Sequence, residues 1–547
     1  MLINKFIMRK LNNQKNKYKI LHVKFWRCLT VLLRYRFLAR NNSFIINCLK
    51  IKKMSKQIQD LQTGEFIILV PVTKWYKGND MSDTYVDNIL YFKGEATDDY
   101  DYYKRYIEDH INVKWFGAKG DGIHDDTASI QSAFNYLIDI REYKNVFPRS
   151  YDLCCIIPDG KYLIKSTLLF PAFCTLKGES RDGSILYTDR NDISLLFISE
   201  DGTPVNQRKR STADHLEEYT VIRDLTVAGN NYLLNPTAAK PTPNSFGVGI
   251  MMDKVLQVNI QNCSVQGFEM AGIFSHFSAY ISITDSLLFN NRIGLLADSL
   301  STCIFASHCV FRVNSQGISL YDSFSCSFVN CLIEANVANY LTQINGYPEL
   351  SKCIGVHIKN CKNINFTNSY FEAHLENVIL DSSNSNIFSN TYFAPFENAD
   401  FGNSTAVVKF NGSSSYNKFI DNYYDAFNAQ VYSPYTFSVE NKSLSKGNVF
   451  EFTLKDHLDS FISQNAAEFT EFRTLGLAQN APKLFCTGAN EQFMDTEKRF
   501  IIDKTFGSTS ERPVVNLYKG QYYFDSTLGK PIFWQGVKWV KADGTDA

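Results

Sequence analysis

A short phrase recurs between Val255 and Glu397, and it constrains this chain more than any other feature. It reads Asn262-Cys263-Ser264-Val265, Asp285-Ser286-Leu287-Leu288, His308-Cys309-Val310-Phe311, Asn330-Cys331-Leu332-Ile333, Asn368-Ser369-Tyr370-Phe371 and Asn390-Thr391-Tyr392-Phe393. From Cys263 onward its second residue returns at steps of 23, 23, 22, 38 and 22. One unit of that length cannot bury its own apolar face, so successive copies must stack on one another. Within each copy the rhythm is that of a strand, as in Ile281-Ser282-Ile283 and Ile364-Asn365-Phe366, where alternate residues are apolar.

Superimposing the copies produces columns. Ile260, Ile283, Ala306, Phe328, Phe366 and Phe388 form one, and Val265, Leu288, Phe311, Ile333, Phe371 and Phe393 another; both read as stacks of interior side chains. Asn262, Asp285, His308, Asn330, Asn368 and Asn390 form a third. Asn tolerates the left-handed backbone of a tight bend, and stacked amides can bond from coil to coil. Strand, bend and strand at this period describe a parallel β-helix. The leucine-rich horseshoe has a similar period, but its Leu-x-x-Leu-x-Leu frame and its helices are missing. The long step holds an insertion, roughly Thr342 to Ile354, expected on a binding face.

Charge divides the chain. Formal net charge is zero, yet residues 1–53 hold 14 Lys and Arg and no acid, which leaves 42 basic against 56 acidic residues in the remainder, a net of −14. An acidic body speaks against a nucleic-acid partner. The apolar stretch Ile20–Leu38 is broken by Lys24, Arg27, Arg34 and Arg36, so it predicts neither a membrane span nor the core of a signal peptide. A basic amphipathic surface helix is the alternative. We read residues 1–53 as a disordered extension or upstream sequence read in frame, with Met54 as the start. The 13 cysteines are odd in number, and Cys263, Cys309 and Cys331 share a column with Ser and Thr, so they read as small core residues rather than a disulfide framework. That usage suits assembly in a reducing compartment.

In chain order, residues 54–112 predict a small head with strands at Glu65–Val70 and Ile89–Phe92. There follows Val113-Lys114-Trp115-Phe116-Gly117-Ala118-Lys119-Gly120-Asp121-Gly122-Ile123-His124-Asp125-Asp126-Thr127-Ala128-Ser129-Ile130-Gln131. Its glycines permit sharp turns, and Asp125 or Asp126 can cap a helix running to about Ile140 that closes the end of the solenoid. Turns and a cap explain the three aspartates and His124 better than a metal does. This segment resembles the entry motif of the pectate-lyase-like superfamily, as found in phage tailspikes, and the resemblance extends over about Ile111 to Phe452. It implies a right-handed, single-stranded parallel β-helix over 113–454, an all-β chain with an N-terminal capping helix. The superfamily holds hydrolases, lyases, epimerases and inactive binders, so the reaction is not implied. Residues 455–506 lose the period and read as an irregular connector. Residues 507–547 predict a β-meander from turns at Ser526–Lys530 and Gln535–Gly536. That module resembles one on tail proteins of phages and prophages of gut Bacteroidales.

Extending the columns past the core gives a surface column of Gln266, Phe289, Arg312, Glu334, Glu372 and Ala394. Glu334 and Glu372 would stand on adjacent coils, about 4.8 Å apart along the stack. Paired carboxylates are what glycoside hydrolysis uses, one as acid and the other as nucleophile or base. We assign Glu334 and Glu372 as catalytic, with Arg312, His374 and Glu376 as substrate-binding residues and Asp421 and Asp425 as the alternative carboxylates. A solvated charged turn is the plainer alternative. The polygalacturonase signatures Asn-Thr-Asp, His-Gly and Arg-Ile-Lys are missing, which speaks against pectin. No cofactor is expected; calcium enters only for a lyase.

The expectation is a phage or prophage tailspike, a homotrimer of the virion tail assembled in the host cytoplasm without a signal peptide or membrane insertion. Its partner would be a bacterial capsular or other surface polysaccharide, which it depolymerises as a glycosidase in preference to a lyase. The alternatives are a non-catalytic receptor-binding spike of the same fold and a secreted bacterial polysaccharide lyase.

Overall fold

The computed structural model describes residues 56–144, 154–199, 220–230, 247–336, 354–395, 408–424 and 522–547 with short breaks, and scattered strands and turns between 437 and 512. The extension 1–53, most of the insertion after Thr342 and Asp425 lie outside the described residues.

The repeating phrase builds a right-handed parallel β-helix. Each coil supplies one strand to each of three parallel ladders. In one coil these are Val248–Asp253, Leu256–Gln261 and Ser264–Gln266, and the next coil repeats them as Ala271–His276, Ala279–Thr284 and Leu287–Phe289. We call the ladder through Leu256–Gln261 the first face, that through Ser264–Gln266 the second and that through Val248–Asp253 the third. The first two run as one 23-stranded sheet because Lys418–Tyr424 pairs with both, and the third has 12 strands among the described residues.

The expected columns are the observed register. Ile260 pairs with Ile283, Ile283 with Ala306, Ala306 with Phe328, Phe328 with Phe366, and Phe366 with Phe388. Val265, Leu288, Phe311, Ile333, Phe371 and Phe393 are likewise successive partners. All these side chains are buried. Phe328, Phe366 and Phe388 stack with centroids 4.5 and 5.0 Å apart, the arrangement that identical residues on a parallel ladder impose. Cys263, Ser286, Cys309, Cys331, Ser369 and Thr391 are all interior, and the Ser286 hydroxyl accepts from the Cys263 amide at 3.1 Å. Burial pushes the Cys263 and Cys309 thiols up to about 12, so they remain protonated and inert.

Single left-handed residues make the corners. Asn262, Asp285, His308, Asn330, Asn368 and Asn390 have φ between +49° and +53°, as their column predicted. A further left-handed column follows the second face at Asn290, Val313, Ala335 and Ala373. Others hold Tyr280, Cys303 and Ser325, or Lys254, Phe277 and Asp322. Asn290 and Asp322 apart, these residue types do not announce a bend, so sequence alone marked one corner of several. Amide-to-amide bonds also run elsewhere than expected. They join the interior residues Asn291, Asn314 and Asn336 at 3.2 and 2.9 Å, and Asn386, Asn417 and Asn448 at 2.8 and 3.0 Å. Each of these amides is removed from water, and the coil-to-coil ladder satisfies it. In the exposed corner column, Asn262 instead donates to Asp224 at 2.8 Å and Asn330 pairs with His308 at 3.2 Å.

The helix Thr127–Lys144 caps the N-terminal coils. Ile130, Ala133, Phe134 and Leu137 are buried, and Phe134 meets Phe170 edge-on at 4.9 Å. Gln131 covers the edge strand Leu168–Pro171: its side chain accepts from the Leu169 amide at 2.8 Å and donates to the Leu169 carbonyl at 3.1 Å. A sheet edge that would otherwise offer unpaired groups is thereby closed. Of the two candidate caps, Asp125 accepts from the Thr127 amide at 3.0 Å, while the buried Asp126 carboxylate holds the amides of Lys119 and Gly120 at 2.6 and 3.0 Å. The aspartates thus serve turns and a cap.

Beyond Val449–Thr453, short strands at Ile462–Gln464, Glu471–Leu475 and Phe485–Cys486 extend the ladders into residues 455–506, the stretch read as an irregular connector. The bend Asn is lost there, which hides the coils from a repeat search. Residues 56–105 form a separate unit, a four-stranded antiparallel sheet ordered Lys56–Gln59, Phe66–Pro71, Tyr102–Arg105, Tyr91–Lys93, with a buried Asp60–Arg105 ion pair. The C-terminal meander comprises Tyr522–Asp525, Lys530–Trp534 and Trp539–Lys541 around Tyr523, Ile532 and Trp539. Its buried Asp525 accepts from Arg512 at 2.7 Å. Among the described residues no helix is long and apolar enough to cross a membrane.

Candidate functional site

The second face carries the surface column in the expected register. Gln266 pairs with Phe289, Phe289 with Arg312, Arg312 with Glu334, Glu334 with Glu372, and Glu372 with Ala394. The two glutamates are therefore neighbours on adjacent coils although 38 residues separate them. Both are half-buried. The Tyr370 hydroxyl donates to Glu372 Oε2 at 2.9 Å, whereas Glu334 has no side-chain hydrogen bond among the described residues. Arg312 is exposed and lies over the Phe289 ring, its guanidinium carbon 6.0 Å from the centroid. It forms no ion pair with either glutamate among the described residues.

His374 and Glu376 leave the face, and both substrate-binding assignments are corrected by their burial. Strand alternation from Glu372 would turn them outward. Ala373, however, is left-handed at φ +58°, and the ladder shifts register between Glu372 and His374. The corner turns His374 into the interior, where it takes the place that Asn291, Asn314 and Asn336 hold on earlier coils. Its Nε2 accepts from Asn336 at 3.0 Å, and its Nδ1 therefore donates to Asn377 at 2.9 Å. Glu376 lies on the third-face strand Glu376–Asp381, buried and 3.4 Å from Lys409 Nζ. Neither side chain reaches a glycan on the second face.

Burial depresses His374 to about 4, with the Asn377 bond opposing the shift. An unfolded histidine titrates near 6.5. Between those values the unfolded chain binds a proton that the folded chain refuses. Stability is therefore expected to fall as pH drops from 6.5 to 4, by about 3 kcal/mol from this residue. His374→Asn supplies the amide used on neighbouring coils and should flatten that part of the stability–pH profile. Urea midpoints of parent and variant across this window measure it; parallel profiles would assign the acid sensitivity elsewhere.

Two further side-chain groups went unread in the sequence. Tyr370, Tyr392 and Tyr423 pair in register on the outside of the second face, beside Glu372. Their signal was present, since each lies two residues after the bend residue of its phrase, at Asn368, Asn390 and Asp421. On the third face Asp253, His276 and Asp298 pair in register on three coils. His276 Nδ1 is 2.6 Å from Asp298 and its Nε2 4.0 Å from the buried Asp253. Nothing in the recurring phrase marked that face. Among the described residues no group of three or more His, Cys, Asp and Glu is placed to hold a metal ion.

The family model "Rhamnogalacturonase A/epimerase, pectate lyase-like" matches residues 110–345. An "Uncharacterized 65.4 kDa protein in cps region" of Klebsiella pneumoniae is 26% identical over 258 residues, which is 46% of this chain and 40% of that protein. The enzymatically active domain of tailspike protein 2 from bacteriophage CBA120 superposes with a TM-score of 0.49 and 14% identity, over 73% of this chain and 54% of that one. A DFA-IIIase from Arthrobacter chlorophenolicus superposes with a TM-score of 0.45 and 12% identity, over 67% of this chain and 92% of that one. The chain thus spans less than two thirds of the Klebsiella protein and of the phage domain. Residues 110–345, on the three-faced coil described above, are thus the part of the chain that is similar to the pectate-lyase-like family.

Proposed function

We infer that the chain is a phage or prophage tailspike that binds and depolymerises a bacterial surface polysaccharide, with its chemistry at Glu334 and Glu372. The register of these two carboxylates on adjacent coils of an exposed face carries the reading. The pectate-lyase-like match and the resemblance of the entry motif and the C-terminal module to tail proteins support it.

In this reading one carboxyl group protonates the glycosidic oxygen while the other attacks the anomeric carbon or activates water. Glu372, oriented by the hydroxyl bond it accepts from Tyr370, is taken as the base or nucleophile. Glu334 is the acid. Arg312, exposed one coil earlier, draws the carboxylate of an acidic sugar toward the pair. The two-carboxylate chemistry draws on no cofactor. The assembly is a homotrimer carried on the virion tail, as the resemblance to tailspikes implies.

The test is polymer mass. Purified protein incubated with capsular polysaccharides from candidate hosts should lower the mass of at least one and release reducing ends. A spike that retains a capsule without ever shortening it would be the receptor-binding alternative.

A further inference from the structure

The second face changes character at the coil of Glu372. Two residues before the carboxylate column, the outward positions read Leu287, Val310 and Leu332, and then Tyr370, Tyr392 and Tyr423. The aromatic positions start where the proposed acid–base pair ends and continue away from Arg312. Their rings stand face to face, 4.9 and 5.0 Å between centroids and inclined by 4° and 14°. Stacked faces are occupied by one another, so the ladder presents ring edges and hydroxyl ends outward, one per coil.

An interior stack has no need of hydroxyls. The phenylalanine stack through Phe328, Phe366 and Phe388 is fully buried, whereas Tyr370 and Tyr392 are half-buried and Tyr423 is 45% exposed. Next to each tyrosine an exposed polar corner residue recurs: Asn368, Asn390 and Asp421. Each coil thus offers an amide or carboxylate beside an amphipathic ring, which is the mixture of apolar edge and placed polar groups that orients a hydroxylated ligand. The first of the three hydroxyls, that of Tyr370, already reaches Glu372. It joins this strip to the carboxylate pair.

We propose that Asn368–Tyr370, Asn390–Tyr392 and Asp421–Tyr423 form a glycan-binding track that holds the polymer along the coil axis on the C-terminal side of Glu334 and Glu372. The glycan runs from Arg312, across the carboxylates, onto the tyrosine edges. A repeating polymer suits a repeating wall: each coil adds the same contacts about one strand spacing further on. Acidic sugars are held at the Arg312 end and neutral hydroxyl-rich units on the track, so a long chain binds better than a short one. This rests on the catalytic reading for its position beside the pair, but not for its binding chemistry.

The experiment uses the full chain and oligosaccharides of graded length, prepared by partial acid hydrolysis of a capsular polysaccharide that the protein retains in a pull-down. Tyr392→Ala/Tyr423→Ala should weaken binding of the longest fragments roughly tenfold or more and leave the shortest unchanged, because only long fragments reach the track. Tyr423→Ala alone, at the exposed end of the ladder, should give a smaller loss confined to the longest fragments, and it serves if the double variant misfolds. Tyr392→Phe/Tyr423→Phe keeps the stack and should show how much of the length effect resides in the hydroxyls. Melting curves of each variant separate a binding loss from unfolding. Equal loss at all lengths, no loss in folded alanine variants, or failure of every capsule tested to be retained overturns the track. If Glu334→Gln and Glu372→Gln cut at the parent rate while the alanine variants lose long-chain binding, the catalytic reading falls and the track stands. The reverse result removes the track and leaves the catalytic pair.

Discussion

Glu334→Gln and Glu372→Gln are each expected to slow depolymerisation of a susceptible capsule by ~10²–10⁴-fold, the usual worth of a positioned acid or base. Glutamine keeps the length and planarity of glutamate but neither ionises nor gives up a proton. Both side chains are half-buried on adjacent coils, so the substitution leaves the strands Leu332–Glu334 and Tyr370–His374 packed as before. Glycan affinity should survive, because glutamine still donates and accepts hydrogen bonds. At Glu372 the Tyr370 hydroxyl retains an oxygen to donate to. Reducing-end release measures the rate, and a pull-down of intact capsule measures binding. Arg312→Ala should act the other way, weakening an acidic glycan more than a neutral one while sparing turnover of bound substrate. Parent-like turnover in both glutamine variants would move the search to the exposed Asp421 or to the Asp253–His276–Asp298 column of the third face.

The largest stability effect is expected at Phe366. Its ring is fully buried between Phe328 and Phe388, with Phe371 edge-on at 5.7 Å. Phe366→Ala removes the middle of that stack and leaves a cavity that a parallel ladder cannot collapse, since each flanking strand is held in register by its other neighbour. Such truncations cost about 3–5 kcal/mol. A solenoid is held together coil by coil, so the loss should be concentrated near the site. Hydrogen exchange should accelerate most in peptides spanning Ile354–Thr391 and much less in those spanning Val248–Phe289. Chemical denaturation gives the total. A uniform small effect on both regions would mean that the stack bears little of the local stability.

Sequence and structure agree where a side chain's role repeats. The interior columns, the surface column and the left-handed corner at Asn330, Asn368 and Asn390 were all legible, because each coil poses the same packing problem and the chain answers it with the same residue type. The capping helix was legible from its apolar side and its aspartates, although Asp126 turned out to hold a loop. Corners built on Val313, Ala335 and Ala373 were not legible. Neither Val nor Ala announces a positive φ, and a β-branched residue resists it. That blind spot produced the error at His374 and Glu376, which strand alternation carried outward past an unseen corner. The tyrosine ladder was missed differently: its residues stood in the recurring phrase, but three aromatics in sequence do not tell an exposed stack from a buried one.

The sequence by itself determined the repeat, its period and the register of the second face, because a period of about 22 residues with fixed apolar positions allows one way of laying coils on coils. That was enough to bring Glu334 beside Glu372 across an insertion. Only the tertiary structure decided which way the chain faces after each corner. A single left-handed residue reverses inside and outside for whatever follows, at a conformational cost that packing of the whole coil outweighs. Glu372 therefore faces water, whereas His374 two residues later lies in the core.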